Sequence, residues 1–205
     1  MEFFCILDAL KEEHKNNSVV RENGTILLSP GQIPRAEHML FKPLTDELID
    51  EFLISQYKYS FPREYISFLK YSNGANLCMV RLLHFIKKKR KVECIPAASG
   101  LFTIYGLPRT QPFGRPTDQE EPFDLRIEDL ARHDDIPEYW LKCGSYTRNY
   151  DFHKTYDIFI DTQVGNVYSC IKNDNKIVEN WKNLDECFCA IYNSFNDRKE
   201  EYEFI

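Results

Sequence analysis

The residues best suited to chemistry in this chain are its cysteines, histidines and clustered charges, and their spacing limits what they can do. Cys187-x-Cys189 invites a metal. On a helix, however, residues two apart point to different faces. No C-x2-C or H-x3-H spacing accompanies the pair, so zinc is not expected. The five histidines, His14, His38, His84, His133 and His153, are scattered. No nucleophile sits in a G-x-S-x-G elbow. Ordinary surface or core histidine is the plain reading; a Cys–His or Ser–His pair brought together by folding stays open as the hydrolase alternative. Asp161-Thr162-Gln163-Val164-Gly165 lacks the alternating oxygen ligands and closing Glu of a calcium loop, and it reads as a hairpin turn. No catalytic residue, metal or cofactor is assigned.

Charge is more informative. Lys87-Lys88-Lys89-Arg90-Lys91 could bind phosphates, or it could be a solvated hairpin tip or a guarded sheet edge. A stretch from Pro116 holds Asp118, Glu120, Glu121, Asp124, Glu128, Asp129, Asp134 and Asp135 against Arg126 and Arg132. Two readings stand for it. One is a solvated surface loop. The other is an acidic face that steers onto a basic protein, with Tyr105, Phe113 and Phe123 as aromatic anchors. The whole chain has 26 basic and 32 acidic side chains, a net −6, which disfavours a direct nucleic-acid binder.

The elements that must position these groups follow from periodicity. Phe3, Ile6, Leu7 and Leu10 predict a helix over 3–15, and Thr25 to Leu28 a short strand. Thr45 caps a helix to about Ser55, with Leu48, Ile49 and Phe52 on one face. Ser60 caps the next, with Pro62 in its first turn and Tyr65, Phe68 and Leu69 as its apolar stripe; Asn73-Gly74 take the left-handed conformation that ends it. Six strands are expected at 77–86, 101–107, 140–145, 156–161, 166–171 and 177–181, the last three as an antiparallel meander. A short helix is expected at about 127–132. Asn183 caps a final helix carrying Leu184, Phe188, Ile191, Tyr192 and Phe195. The expected fold is α+β: one domain with a mainly antiparallel, roughly six-stranded sheet, helices before it and a C-terminal helix packed on it. Residues 1–42 form a helix and short strand packed on the main domain at 43–197, and 198–205 are a charged tail.

Pro62, Tyr65, Phe68, Leu69, Asn73 and Gly74 resemble the signature helix of the SUKH superfamily, roughly Leu-Pro-x-x-Tyr-x-x-Phe-Leu-x-x-x-Asn-Gly-Gly. Phe61 stands for the usual Leu and Ala75 for the second Gly. A second block, an apolar strand from Tyr156, the Asp161-Thr-x-x-Gly165 turn and Val167-Tyr168, is similar to the same family, and Trp181 with the following helix completes it. Together the blocks span about Pro43 to Phe195. The resemblance implies a bacterial immunity protein, not an enzyme, that binds and neutralises a cognate polymorphic toxin, many of which are nucleases. It also admits a regulator related to cell-wall synthesis proteins. An enzyme of unknown class is the further alternative. Under the first reading the partner is a basic protein toxin, and the acidic and aromatic residues above are its candidate contacts.

Aromatics at 14% and apolar residues at 43% are ample for a core. A chain of 205 residues can bury about 70% of its unfolded surface without disulfides or metal. The seven cysteines, Cys5, Cys78, Cys94, Cys143, Cys170, Cys187 and Cys189, are odd in number and lie mostly in apolar stretches. They read as buried free thiols in a reducing compartment. Residues 1–8 are too short and acidic for a signal peptide, and no apolar run approaches a membrane span. A cytoplasmic protein is expected.

Overall fold

The computed structural model describes residues 1–29, 38–56, 61–88, 91–107, 136–137, 139–147, 154–172, 174 and 176–196, with backbone alone at 52–56, 79–88, 91–101 and 196. In chain order the elements are α1 (Glu2–Glu13), β1 (Ser18–Val20), β2 (Ile26–Leu28), β3 (His38–Leu40), α2 (Asp46–Gln56), α3 (Arg63–Tyr71), β4 (Ala75–Lys88), β5 (Lys91–Ile104), β6 (Trp140–Thr147), β7 (Thr155–Asp161), β8 (Val167–Ile171), β9 (Ile177–Trp181) and α4 (Leu184–Asn196). The expected α+β class holds. Among the described residues the sheet has nine strands rather than six, all antiparallel, and its spatial order is the chain order. The additional strands come from the N-terminal segment, where β1, β2 and β3 continue the sheet beyond β4. Each is three residues long, too short to display alternation.

Helices cover one face of the sheet. At the centre of that layer sit four fully buried rings, Phe3 of α1, Phe68 of α3, Phe102 of β5 and Phe188 of α4. Phe188 meets Phe3, Phe68 and Phe102 edge-on, at centroid distances of 5.2, 5.7 and 5.6 Å. Burying each ring contributes about 1.5–3 kcal/mol, and edge contacts add about 0.5–1.5 kcal/mol per pair. The quartet therefore joins three helices to the sheet.

Local chemistry sets the helix ends. Asn183 Oδ1 accepts the Glu186 N–H at 2.8 Å, the expected cap of α4. The Thr45 hydroxyl accepts the Leu48 N–H at 3.4 Å and opens α2; Ile49 of that helix is buried while Leu48 is exposed. For α3, Ser60 lies outside the described residues, and Pro62 occupies the N-cap position rather than the first turn. Gly74 alone takes the left-handed conformation (φ 91°) after that helix; Asn73 does not. Of the basic run, Lys87 and Lys88 end β4 and Lys91 opens β5, with Lys88 opposite Lys91. The expected helix near 127–132 and the tail from 198 lie outside the described residues.

Candidate functional site

In the chain the acidic stretch lies between β5 and β6. Asp118, Glu120, Glu121, Asp124, Asp134, Asp135, Phe113 and Phe123 lie outside the described residues; Tyr105 is inside them. What the structure defines is how both stems of that stretch are held.

The leaving stem is Tyr105-Gly106-Leu107, and α3 clamps it. The Tyr65 hydroxyl, on a ring with no exposed surface, donates to the Tyr105 carbonyl at 2.8 Å. Buried Asn73 uses both ends of its amide: Nδ2 donates to the Leu107 carbonyl at 2.9 Å, and Oδ1 accepts the Leu107 N–H at 2.7 Å. Gly106 lies so close beneath that a Cβ there would come within 2.3 Å of the Asn73 carbonyl oxygen. The Tyr105 N–H continues the sheet by donating to the Cys143 carbonyl at 2.9 Å. Beside these, the Ser72 hydroxyl donates to the Phe41 carbonyl at 3.0 Å and ties α3 to the chain leaving β3.

The returning stem is held by the second sequence block. Asp161 Oδ1 accepts the Gln163 and Val164 N–H groups at 2.8 and 3.1 Å, shaping the β7–β8 turn as expected. The turn's Thr162 then donates twice to the Tyr139 carbonyl, from N at 3.0 Å and from its hydroxyl at 2.7 Å. Next to it, Trp140 stacks on Tyr168 at 4.2 Å. Trp181 is half-buried against the edge of the helix-side core.

Between the stems lies the sheet face away from the helices. One register row crosses it through Leu27, Met39, Asn76, Thr103, Ser145, Asp157 and Cys170. A bulge between Lys142 and Gly144 lets both Lys142 and Ser145 point to this side. Lys142 Nζ pairs with Asp157 Oδ2 at 2.9 Å, both side chains mostly buried. The Tyr105 ring lies under the same ammonium at 5.8 Å. Its phenol is pushed up by burial, an effect that Lys142 and a hydrogen bond to Ser145 partly oppose. Burial likewise pushes the Cys170 thiol up, to about 11, with help from Asp157. This arrangement fixes charges against each other. Among the described residues no three metal-ligating side chains cluster. No protein-family model, curated protein or solved structure matches this chain.

The Lys142–Asp157 pair was not singled out from sequence. Its one signal is a charged residue interrupting each of two apolar strands, Trp140-Leu-Lys-Cys and Tyr156-Asp-Ile-Phe-Ile. The sequence pattern places Asn73 in a turn; its role is the clamp on Leu107, across 34 positions. Cys187 is buried in the helix-side core and Cys189 is half-buried, on different sides of α4. Among the described residues, no helix is long and apolar enough to cross a membrane.

Proposed function

We propose that this chain is an immunity protein of the SUKH type, which neutralises a basic toxin by binding it in equal numbers and covering its active site. The observation that carries this reading is the convergence of both sequence blocks on one segment. Tyr65 and Asn73 from the first hold the stem at 105–107, and Asp161-Thr162 from the second hold the stem at Tyr139. The segment between them, at 116–135, has eight carboxylates and two arginines, a deficit equal to the chain's whole net charge of −6. The residues that carry the family resemblance thus build the mount, and the charge sits on what is mounted. A nuclease site is positive because it holds phosphates, so a carboxylate-rich segment whose flanking stems are hydrogen-bonded to the fold is steered to it and occludes it. No bond is made or broken by the immunity protein.

The test is binding to the toxin domain encoded beside the gene. We expect a one-to-one complex, loss of toxin activity on complex formation, and association that slows as salt rises. Reversing Glu120, Glu121 and Asp124 to Lys should slow association by tenfold or more, to roughly the unsteered ~10⁵–10⁶ M⁻¹s⁻¹. Absence of any binding or protection overturns the immunity reading. Full protection by the reversed variant with an unchanged association rate removes this segment from the interface.

A further inference from the structure

Asn-Gly occurs twice in the chain, at Asn23-Gly24 and Asn73-Gly74, and the two pairs sit in opposite surroundings. The dipeptide carries chemistry of its own. The backbone nitrogen after Asn can attack the side-chain amide carbon, and glycine puts no Cβ in the way. Asn23-Gly24 lies between β1 and β2, where the Gly24 N–H donates to the Arg21 carbonyl at 2.8 Å and Asn23 Oδ1 accepts the Thr25 N–H at 2.9 Å. Both residues are half-buried. Asn73 instead has no exposed surface. Its Nδ2 and Oδ1 are both spent on Leu107, at 2.9 and 2.7 Å, and the Gly74 N–H is spent on the Ser72 carbonyl at 2.8 Å. Gly106 packs against the same amide, since a Cβ on it would come within 2.6 Å of Asn73 Oδ1. The reaction needs ammonia to leave and water to enter, and the packed clamp admits neither.

We propose that Asn73-Gly74 is a spontaneous deamidation site, gated by opening of the stem at 105–107, whose product releases that stem for good. When Asn73 leaves Leu107, the Gly74 nitrogen gives up its proton to water and attacks Asn73 Cγ. The Cγ–Nδ2 bond breaks, Nδ2 takes a proton and departs as ammonia, and a cyclic succinimide is left. Water then adds to one of the two imide carbonyls. Opening the bond from Cγ to the Gly74 nitrogen gives aspartate. Opening the bond from the backbone carbonyl to that nitrogen gives isoaspartate, with the chain now running through Cγ. The sum is one amide and one water giving one carboxylate and one ammonium ion, with no oxidant or reductant. Either product fails as a clamp. Nδ2 donates to the Leu107 carbonyl, and a carboxylate has no proton to give it. An oxygen in its place meets that carbonyl acceptor to acceptor, and its charge is buried without a partner. Isoaspartate also lengthens the backbone just ahead of Gly74, whose left-handed φ of 91° turns the chain after α3. At Asn23 the same exchange is tolerated, because the carboxylate keeps an oxygen for the Thr25 N–H. The same dipeptide is silent in one place and disruptive in the other.

The full chain is held at mildly alkaline pH, native and in unfolding guanidinium chloride, and conversion at each Asn-Gly is followed by peptide mass mapping. In the unfolded chain both sites should convert at similar rates. In the native chain Asn73 should convert about tenfold or more slowly than in the unfolded one, and Asn23 should be slowed less. Native protein that has converted at Asn73 is then separated by its added negative charge. Its Leu107 N–H should exchange with deuterium about tenfold or more faster, while protein converted only at Asn23 should keep the original rate. Asn73→Asp should show the same fast exchange and Asn23→Asp should not; the aged native protein gives the same reading without a variant. Equal conversion of Asn73 in the native and unfolded chains, or none in the unfolded chain, overturns the proposal. So does a chain deamidated at Asn73 in which the Leu107 N–H stays protected.

Discussion

The two faces of the sheet are held by different physics. On the helix side, Phe3, Phe68, Phe102 and Phe188 interlock with Leu7, Leu69, Leu77, Ile158 and Ile160, all fully buried or nearly so. The far side carries a buried polar row, Asn76, Thr103 and Asp157, and an ion pair. Asn76 Oδ1, Thr147 Oγ1 and Trp140 Nε1, all on that side, are buried without a hydrogen-bond partner among the described residues. Apolar packing is non-directional, so the first face depends on volume and tolerates swaps that conserve it. Polar burial is directional and costly when incomplete, so the second depends on each partner being present.

That contrast can be broken from either side. The largest effect is expected at Phe188, which touches three other rings of the quartet. Phe188→Ala should cost about 4 kcal/mol in chemical denaturation, while Phe188→Leu should cost well under half of that. A small loss for Phe188→Ala would place the core elsewhere. On the far side, Lys142→Met leaves Asp157 buried without its cation and should cost about 3 kcal/mol; adding Asp157→Leu should recover most of it. If the double variant is as unstable as the single one, the face is held by shape and not by its charges.

Asn73→Ala leaves the Leu107 N–H and C=O without their partners, and about 2 kcal/mol should be lost. The same variant should slow association with the toxin, because it frees one stem of the acidic segment. Unchanged kinetics alongside a measurable stability loss would separate the clamp from the binding role. The smallest effect is a pH slope. The Cys170 thiol is raised from 9.0 to about 11 in the folded chain, so between those values the folded state holds a proton that the unfolded state has released. Its stabilising effect is complete below pH 9 and is lost as pH rises to about 11. Cys170→Ala should make the alkaline slope in denaturation at pH 8 to 11 shallower, the remainder coming from Cys189 and the other buried thiols, and an identical slope would assign the effect to those groups alone.

Legibility followed element length and range of contact. The four strands from β6 onward and α4 stood out because five or more residues of pattern lie within each, bounded by local signals such as Asn183 and the Asp161 turn. The three-residue strands β1 and β3 did not, since their burial comes from neighbours rather than from their own alternation. The sequence pattern predicts two shorter strands here, at 77–86 and 101–107, whereas β4 and β5 are each 14 residues long. Pro96 and the run of small residues Ala97-Ala98-Ser99-Gly100 mask the strand signal there, and the pairing with β4 overrides it. Of the candidate contacts only Tyr105 lies among the described residues, where it is a largely buried ring over Lys142 and not a protruding one.

By itself the sequence determined the class of the fold, the caps at Thr45 and Asn183, the Asp161 turn and much of the apolar interior, because helix and strand periods and capping chemistry act within a few residues. The tertiary structure alone decided that Asn73 grips Leu107, that Lys142 meets Asp157, and that both sequence blocks converge on the stems of the acidic segment. Those outcomes depend on strand register and a bulge, and no local propensity encodes the distance between residues far apart in the chain.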